Sequence, residues 1–162
     1  MTGGHVAGPV VIGRSSGVVV LARQVLAYPA GLEIDVEAHA RGASTSPGGP
    51  APDSDGFTGR PLPHFGLRLA DGRDVAQDDE TGLRDGSGPV MAVTGYQGAS
   101  GGPDGGEDVR LTLWIRPLPE PGPLTVWCSW PEHGLRDAAL LLDGASVRAA
   151  ARLARPLWPE GA

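Results

Sequence analysis

The stretch VLAYPAGLEIDVEAHA, residues 25–40, changes its pattern at the middle. A mixed apolar run enters, the tetrapeptide YPAG interrupts it, and a run of strictly alternating apolar and polar residues follows. Proline presets φ for the second position of a β-turn and glycine tolerates positive φ, so YPAG has the composition of a tight turn. The alternating run predicts a strand with one buried and one wet face. Such a strand belongs to an antiparallel sheet, because parallel strands are usually buried on both faces, and YPAG is therefore predicted to be the corner of a hairpin.

Segments of the same character occur along most of the chain. We predict strands over residues 17–27, 32–40, 64–70, 89–97, 108–116, 123–130 and 135–143, with a short strand or extended edge over 73–79. The segment 135–143 also fits a short helix, although a strand is favoured. Several short strands divided by turn signals predict a mostly β fold, an antiparallel immunoglobulin-like β-sandwich. The cysteine–tryptophan–cysteine pattern of antibody domains is absent, so the likeness is one of architecture.

The end of the chain has a different pattern. The segment SVRAAARLARPL, residues 146–157, predicts one C-terminal α-helix with Asp143 or Ser146 as its N-cap, and Pro156 should end or kink this helix. Its apolar stripe would consist of Val147, Ala150, Leu153, Ala154 and Leu157. We predict a single β-sandwich domain over residues 16–159, with glycine-rich loops at 42–60 and 97–107. Residues 1–15 are expected to form a flexible arm, although residues 10–12 could add a short edge strand.

Composition and charge limit the possible partners. The formal net charge is −6 and the sequence contains no lysine, so general binding of nucleic acid, which depends on clustered positive charge, is not expected. Cys128 is the only cysteine, which excludes an intramolecular disulfide framework and a cysteine zinc cluster. No run approaches the roughly 18 apolar residues of a membrane span, and the N-terminus does not have the pattern of a signal peptide. A cytoplasmic protein without a membrane partner is therefore predicted.

Signatures of catalysis or metal binding are weak. The four histidines, His5, His39, His64 and His133, are not paired at metal-ligand spacing. The acidic run between residues 71 and 80 lacks EF-hand spacing, and the glycine-rich segments lack a phosphate-loop Gly-Lys-Ser/Thr. Cys128 falls on an inward strand position and is expected to be a small buried hydrophobe. We therefore predict a non-catalytic protein without a metal or cofactor, while an enzyme whose fold gathers His39, His64 and the acidic residues stays an alternative.

The tryptophans offer a candidate binding surface. If the segments 108–116 and 123–130 pair across the turn PLPEPG, Trp114 and Trp127 become diagonal neighbours on the outer face of a sheet. They would then form a platform for a partner protein or a sugar ring. The favoured alternative is that the C-terminal helix, with Leu153, Leu157 and Trp158, folds back over them, since its apolar stripe must be buried somewhere.

Charge is also sorted along the chain. Glu33, Asp35 and Glu37 form an acidic stripe on one strand, and a basic stripe on the helix consists of Arg148, Arg152 and Arg155. The two stripes could pair within the chain or face separate partners, and exposed ion pairs contribute only about 0–1 kcal/mol each. The basic stripe therefore joins the two tryptophans as a candidate binding site.

Several motifs resemble those of a group of uncharacterised actinobacterial proteins. They are AYPxG at residues 27–31, FGLRLADG at 65–72, and the series PLPxPGPLT, WP and LWP between residues 117 and 159. The resemblance spans most of the chain and implies no activity, cofactor or binding residue. From the fold pattern we expect a protein-interaction or assembly domain that binds a partner protein or another copy of itself, with a carbohydrate- or small-ligand-binding module as the alternative.

Overall fold

The computed structural model describes residues 1–42, 62–77, 79, 86, 88–100 and 105–158. The strands in this part of the chain are β1 Gly4–Ala7, β2 Val10–Arg14, β3 Val18–Tyr28, β4 Gly31–Ala40, β5 His64–Arg68, β6 Asp74–Ala76, β7 Val90–Ser100, β8 Glu107–Arg116, β9 Pro123–Trp130 and β10 Leu135–Asp143. A short 3₁₀ turn, Pro131–His133, precedes β10, and the helix α1, Gly144–Ala151, follows it. The loop predicted at 42–60 lies outside the described residues except for Gly42.

The strands form two antiparallel sheets. The large sheet has the order β1-β3-β4-β8-β7, and β2 also pairs with β3 beside β1. The small sheet has the order β10-β9-β5-β6. The hairpin predicted from YPAG is confirmed, because β3 pairs with β4 from Tyr28–Gly31 at the corner to Val18–Ala40 at the far end. The predicted mostly β, antiparallel fold with one helix is therefore present in the described residues.

One hydrophobic core lies between the two sheets. In β4, β8 and β9 the apolar residues predicted to face inward alternate with the other residues in the sequence, and these inward positions are the buried ones. Inward residues of both sheets belong to one cluster, which includes Leu32 and Leu113 from the large sheet and Phe65, Val126 and Trp130 from the small sheet. Each of these five side chains is fully buried, and burial of a large apolar side chain stabilises a fold by about 1.5–3 kcal/mol.

The N-terminal residues differ from the prediction of a flexible arm. β1 and β2 both pair with β3, and Ile12 of β2 is a buried member of the core. The pairing follows from the length of β3, whose eleven residues would otherwise expose a long unpaired edge on that side. The loop predicted over residues 97–107 is also shorter than expected, since β7 continues to Ser100 in register with Glu107 of β8.

The helix is displaced toward the N-terminus relative to the predicted 146–157. Asp143 caps it, as one of the two predicted alternatives, by accepting hydrogen bonds from the backbone N–H of Ala145 (3.3 Å) and Ser146 (3.1 Å). Hydrogen bonds from Ser146 and Ala145 lower the pKa of the Asp143 carboxyl. The helix ends at Ala151 because Pro156 lacks an N–H and its ring would clash with a helical carbonyl at position 152.

After α1 the chain joins the large sheet by one bridge. The N–H of Thr2 donates to the carbonyl of Arg155 (2.7 Å), and the N–H of Arg155 donates to the carbonyl of Thr2 (3.0 Å). The helix itself packs against β1, β3 and β10 through Val147, Ala150 and Ala151. The C-terminal residues are thus fixed beside the β1 edge of the large sheet.

Candidate functional site

The two tryptophans of the predicted platform lie in different sheets. β8, which carries Trp114, pairs with β4 and β7, whereas β9, which carries Trp127, pairs with β5 and β10. The predicted pairing of β8 with β9 is wrong, because each strand has both of its edges occupied by other partners. The residues between β8 and β9 cross from the large sheet to the small one, and we call residues 117–122 the crossover. Trp114 and Trp127 therefore form no common platform.

Each of these tryptophans has its own partly buried environment. The Trp114 ring lies 5.7 Å from the ring of Tyr28, and the Trp127 ring lies 5.6 Å from the imidazole of His64. The indole of Trp127 also occupies the space above Gly66, where a side chain would otherwise stand. The C-terminal helix covers neither tryptophan, since it packs on β1, β3 and β10, and this prediction is wrong as well.

The predicted basic stripe divides into two parts with different roles. Arg148 is partly buried and fastens the crossover, since its Nε donates to the carbonyl of Pro119 (2.8 Å) and its Nη2 lies 2.8 Å from a carboxylate oxygen of Glu120. Arg152 and Arg155 are exposed, and no carboxylate in the described part of the chain lies within ion-pair distance of them. The acidic and basic stripes thus make no ion pair with each other among the described residues.

The residues after the helix expose large apolar side chains. We call residues 152–158 the C-terminal segment. Trp158 is 79% exposed, Leu153 is 65% exposed and Leu157 is 61% exposed, although Leu153 and Leu157 were predicted to be part of a buried stripe. They stay exposed because the helix ends before them, and the buried residues of the helix are Gly144, Val147, Ala150 and Ala151.

The outer face of the large sheet is lined with polar and charged residues. We call it the polar face, and define it by Glu33, Asp35, Glu37 and His39 of β4 and their register partners Trp114, Thr112, Arg110 and Asp108 of β8. At one end Glu37 forms ion pairs with Arg23 and Arg110, both at 3.2 Å, and lies 3.3 Å from His39 Nε2. His39 Nδ1 also lies 2.6 Å from Asp108. The carboxylate of Glu37 is therefore compensated within the chain.

At the other end of the polar face two carboxylates have no cationic partner in the described residues. Asp35 accepts a hydrogen bond from the hydroxyl of Thr112 (3.0 Å), and the hydroxyl of Tyr28 donates to Glu33 (3.5 Å). Burial, and then the nearby charge of Asp35, raises the pKa of the Glu33 carboxyl. Burial and the charge of Glu33 likewise raise the pKa of Tyr28. This end thus combines two aromatic rings with two uncompensated acidic groups.

Two β-bulges widen the polar face at the level of Asp35. One interrupts the pairing of β3 with β4 between Ala22 and Gln24, and the other interrupts the pairing of β7 with β8 between Val93 and Gly95. Bulges bend strands and redirect side chains, and they are frequent beside functional sites. Between them lies an open depression of about 530 Å³, whose lining includes Asp35.

A second recess lies where the crossover leaves the large sheet, and we call it the end cleft. It has a volume of about 740 Å³ and is bordered by the crossover, by Leu69 and Leu124 of the small sheet, and by Ile115 of the large sheet. Charged residues at its border are Asp71, Arg73, Arg116 and Glu120. Such an apolar recess with a few polar groups is the usual form of a small-molecule site.

The histidines do not come together. His39 lies on the polar face, whereas His64 lies beside Trp127 on the outer face of the small sheet, so the fold does not bring these two histidines together. His133 lies in the 3₁₀ turn, and its side chain is only 3% exposed. It packs edge-on against Trp130, with ring centroids 4.4 Å apart, and its Nε2 lies 3.3 Å from Glu107. Sequence reasoning missed this buried pair, because a histidine that follows Trp-Pro in a turn gives no local signal of burial.

Cys128 is buried, as predicted from its inward position on β9. Burial raises the pKa of its thiol to about 12, so the thiolate that a nucleophile requires is not formed at neutral pH. Among the described residues, no three His, Cys, Asp or Glu side chains are arranged to hold a metal ion.

Comparison with known proteins found no match to any protein-family model, any curated protein or any solved structure. No helix in the described part of the chain has the length and apolar character that crossing a membrane requires.

Proposed function

We propose that this chain is a non-catalytic, immunoglobulin-like β-sandwich domain that binds another protein through its C-terminal segment. The observation that carries the proposal is the exposure of Trp158, 79% of whose surface faces solvent beside the exposed Leu157. Tryptophan and arginine are the residue types most enriched among the energetically dominant positions of protein interfaces. The segment contains both, since Arg152 and Arg155 lie next to the apolar residues.

The arrangement of the remaining side chains supports a binding role over a catalytic one. The Cys128 thiol is protonated at neutral pH and lies inside the core, and His39 and His64 lie on the outer faces of different sheets. The C-terminal segment, the polar face and the end cleft are surfaces on which another molecule could bind. Their side chains are not arranged as reactive groups that point at one place. A cytoplasmic location and a relationship to the actinobacterial group remain predictions.

Affinity capture from the native host tests this function. The wild-type chain is compared with Leu157→Ala/Trp158→Ala, and Leu141→Ala is the matched control, because Leu141 is an equally exposed leucine (76%) on β10. We expect the double variant to lose partners or change assembly state while it keeps its fold by circular dichroism, and the control to behave as wild type. Unchanged partners and unchanged assembly of a folded double variant would contradict the proposal.

Binding of a carbohydrate or another small ligand is the second candidate function, and the end cleft is the observation that favours it. The separation of Trp114 from Trp127 removes the stacking platform on which a sugar site was first predicted. The end cleft instead offers about 740 Å³ of mainly apolar space with two arginines at its border. Thermal unfolding with a panel of glycans and small organic acids tests this candidate, with Arg116→Ala as the cleft variant and Arg136→Ala as the control. A melting temperature that no compound changes would remove it.

A further inference from the structure

Two exposed features of this molecule have opposite charge, and neither is compensated among the described residues. Arg152 and Arg155 of the C-terminal segment have no carboxylate within ion-pair distance in that part of the chain. Glu33 and Asp35 of the polar face have no arginine within that distance there, although both are partly buried. Each feature also has aromatic residues beside its charges, Trp158 in the first and Tyr28 with Trp114 in the second.

The two features do not pair with each other within one molecule. Two backbone hydrogen bonds between Arg155 and Thr2, which lies just before β1, fix the C-terminal segment at this side of the large sheet. From there the order of the sheet runs through β1 and β3 to β4. Three strand spacings separate Arg155 from β4, a distance of about 14 Å at the usual 4.7–4.9 Å per spacing. Among the described residues no ion pair joins the two features across this distance.

We propose that the C-terminal segment of one copy of this chain docks on the polar face of a second copy, where Arg152 and Arg155 pair with Glu33 and Asp35 and Trp158 packs beside Trp114. The inference rests on the proposed function and names the partner. The planar guanidinium group pairs with carboxylates through two parallel hydrogen bonds and stacks on aromatic rings, and the acidic and aromatic end of the polar face offers both contacts.

Because each copy carries both features, the contact can be reciprocal. The segment of the first copy docks on the face of the second, and the segment of the second docks on the face of the first, about a two-fold axis. Such an interface closes on itself and gives a dimer rather than an open chain. Added salt screens ion pairs between exposed groups, so the dimer should weaken as the ionic strength rises.

Sedimentation equilibrium of the purified chain tests the proposal. We expect the wild type to form dimers, and Arg152→Glu/Arg155→Glu to weaken dimerisation about tenfold or more, as the loss of paired interface charges does elsewhere. Arg14→Glu/Arg136→Glu is the matched control, because it makes the same change of net charge at two exposed arginines outside both features. Glu33→Gln/Asp35→Asn keeps the size of the acidic side chains and should weaken the dimer similarly.

A charge exchange gives the decisive measurement. Glu33→Arg/Asp35→Arg and Arg152→Glu/Arg155→Glu should each be largely monomeric, and an equimolar mixture of the two should recover association, because each then offers a complementary surface. If the arginine variant of the polar face does not fold, its role is taken by Glu33→Gln/Asp35→Asn, which should weaken the dimer while the control does not.

The proposal is overturned if the wild type is monomeric at the highest soluble concentration, or if the control weakens a dimer as much as the variants of the two features do. Failure here is distinct from failure of the proposed function. A monomeric chain that still captures another protein in a Trp158-dependent way refutes self-docking and leaves the binding function intact. A chain that neither dimerises nor loses a partner in the Leu157→Ala/Trp158→Ala variant refutes both.

Discussion

Replacement of Gly66 by alanine should displace the indole of Trp127 from the outer face of the small sheet. A methyl group built on Gly66 would lie 2.7 Å from Nε1 of Trp127 and closer still to Cζ2 and Cε2, whereas ordinary contacts of such a carbon begin at 3.4 Å. The indole is a rigid ring rather than the end of a flexible chain, so it must swing away and lose its packing against Gly66 and His64. We expect Gly66→Ala to lower the free energy of unfolding by about 1–3 kcal/mol, the usual cost of overpacking.

A double-mutant cycle isolates the cause of this loss. In a Trp127→Ala background the added methyl group has space, so Gly66→Ala should cost only a few tenths of a kcal/mol there, and the coupling energy should equal most of the single-mutant effect. The assay is urea unfolding followed by circular dichroism, with Gly17→Ala as the control, because a methyl group at Gly17 meets only a carbonyl oxygen at 3.7 Å. The same loss of stability with and without Trp127 would refute the steric argument and indicate a backbone effect of glycine.

Three further predictions concern other parts of the fold. Cys128 should resist alkylation at pH 8 in the native protein and react after denaturation, because burial raises its thiol pKa to about 12; rapid native labelling would contradict its burial. Arg148→Ala should destabilise the protein by about 1–2 kcal/mol in thermal unfolding, because the carbonyl of Pro119 loses a charged donor, whereas Arg152→Ala should stay within about 0.5 kcal/mol. The lowered pKa of Asp143 means that its carboxylate stabilises the fold above the ordinary pKa and that this contribution is lost as the pH falls through the lowered value. In the Asp143→Asn variant the free energy of unfolding should therefore fall less steeply as the pH is lowered. The same dependence on pH as in the wild type would show that the cap does not depend on charge.

The strands themselves could be predicted because alternation is a local property. The period of two in residues 32–40 decides which side chains face inward, and burial along β4 agrees with it at every position from Leu32 to Ala40. The YPAG corner could be predicted for the same reason, since the turn depends on the residues that form it. These parts of the fold require no knowledge of distant segments.

The neighbours of each strand could not be predicted in this way. The alternation of β8 and β9 is identical whether the two strands pair with each other or lie in separate sheets, and the proline-rich crossover fits a rigid turn as well as a connection between sheets. The predicted tryptophan platform is wrong for this reason. It depended on which strands pair with β8 and β9, whereas the alternation shows only which side chains of each strand face inward. The prediction of a flexible arm is wrong for a similar reason. β1 and β2 pair with an edge of β3 that exists only once the sheet has formed, so the local sequence does not reveal it.

The candidate surfaces were predicted in part. The acidic stripe was found because three carboxylates at a spacing of two must share one face of a strand. The exposure of Leu153 and Leu157 was missed, although Pro156 contained the signal, because the clash of a proline ring falls on the residue four positions earlier and ends the helix before both leucines.

The attachment of α1 to the crossover has a mechanical consequence. Arg148 donates to the carbonyl of Pro119, and the N–H of Gly144 donates to the carbonyl of Gly122 (2.8 Å), so hydrogen bonds join the wall of the end cleft to the start of the helix. A ligand that moves the crossover would also move the first turn of α1, and α1 leads to the bridge between Arg155 and Thr2. By thermodynamic reciprocity, binding at the end cleft and binding at the C-terminal segment would then change each other's affinity by the same factor.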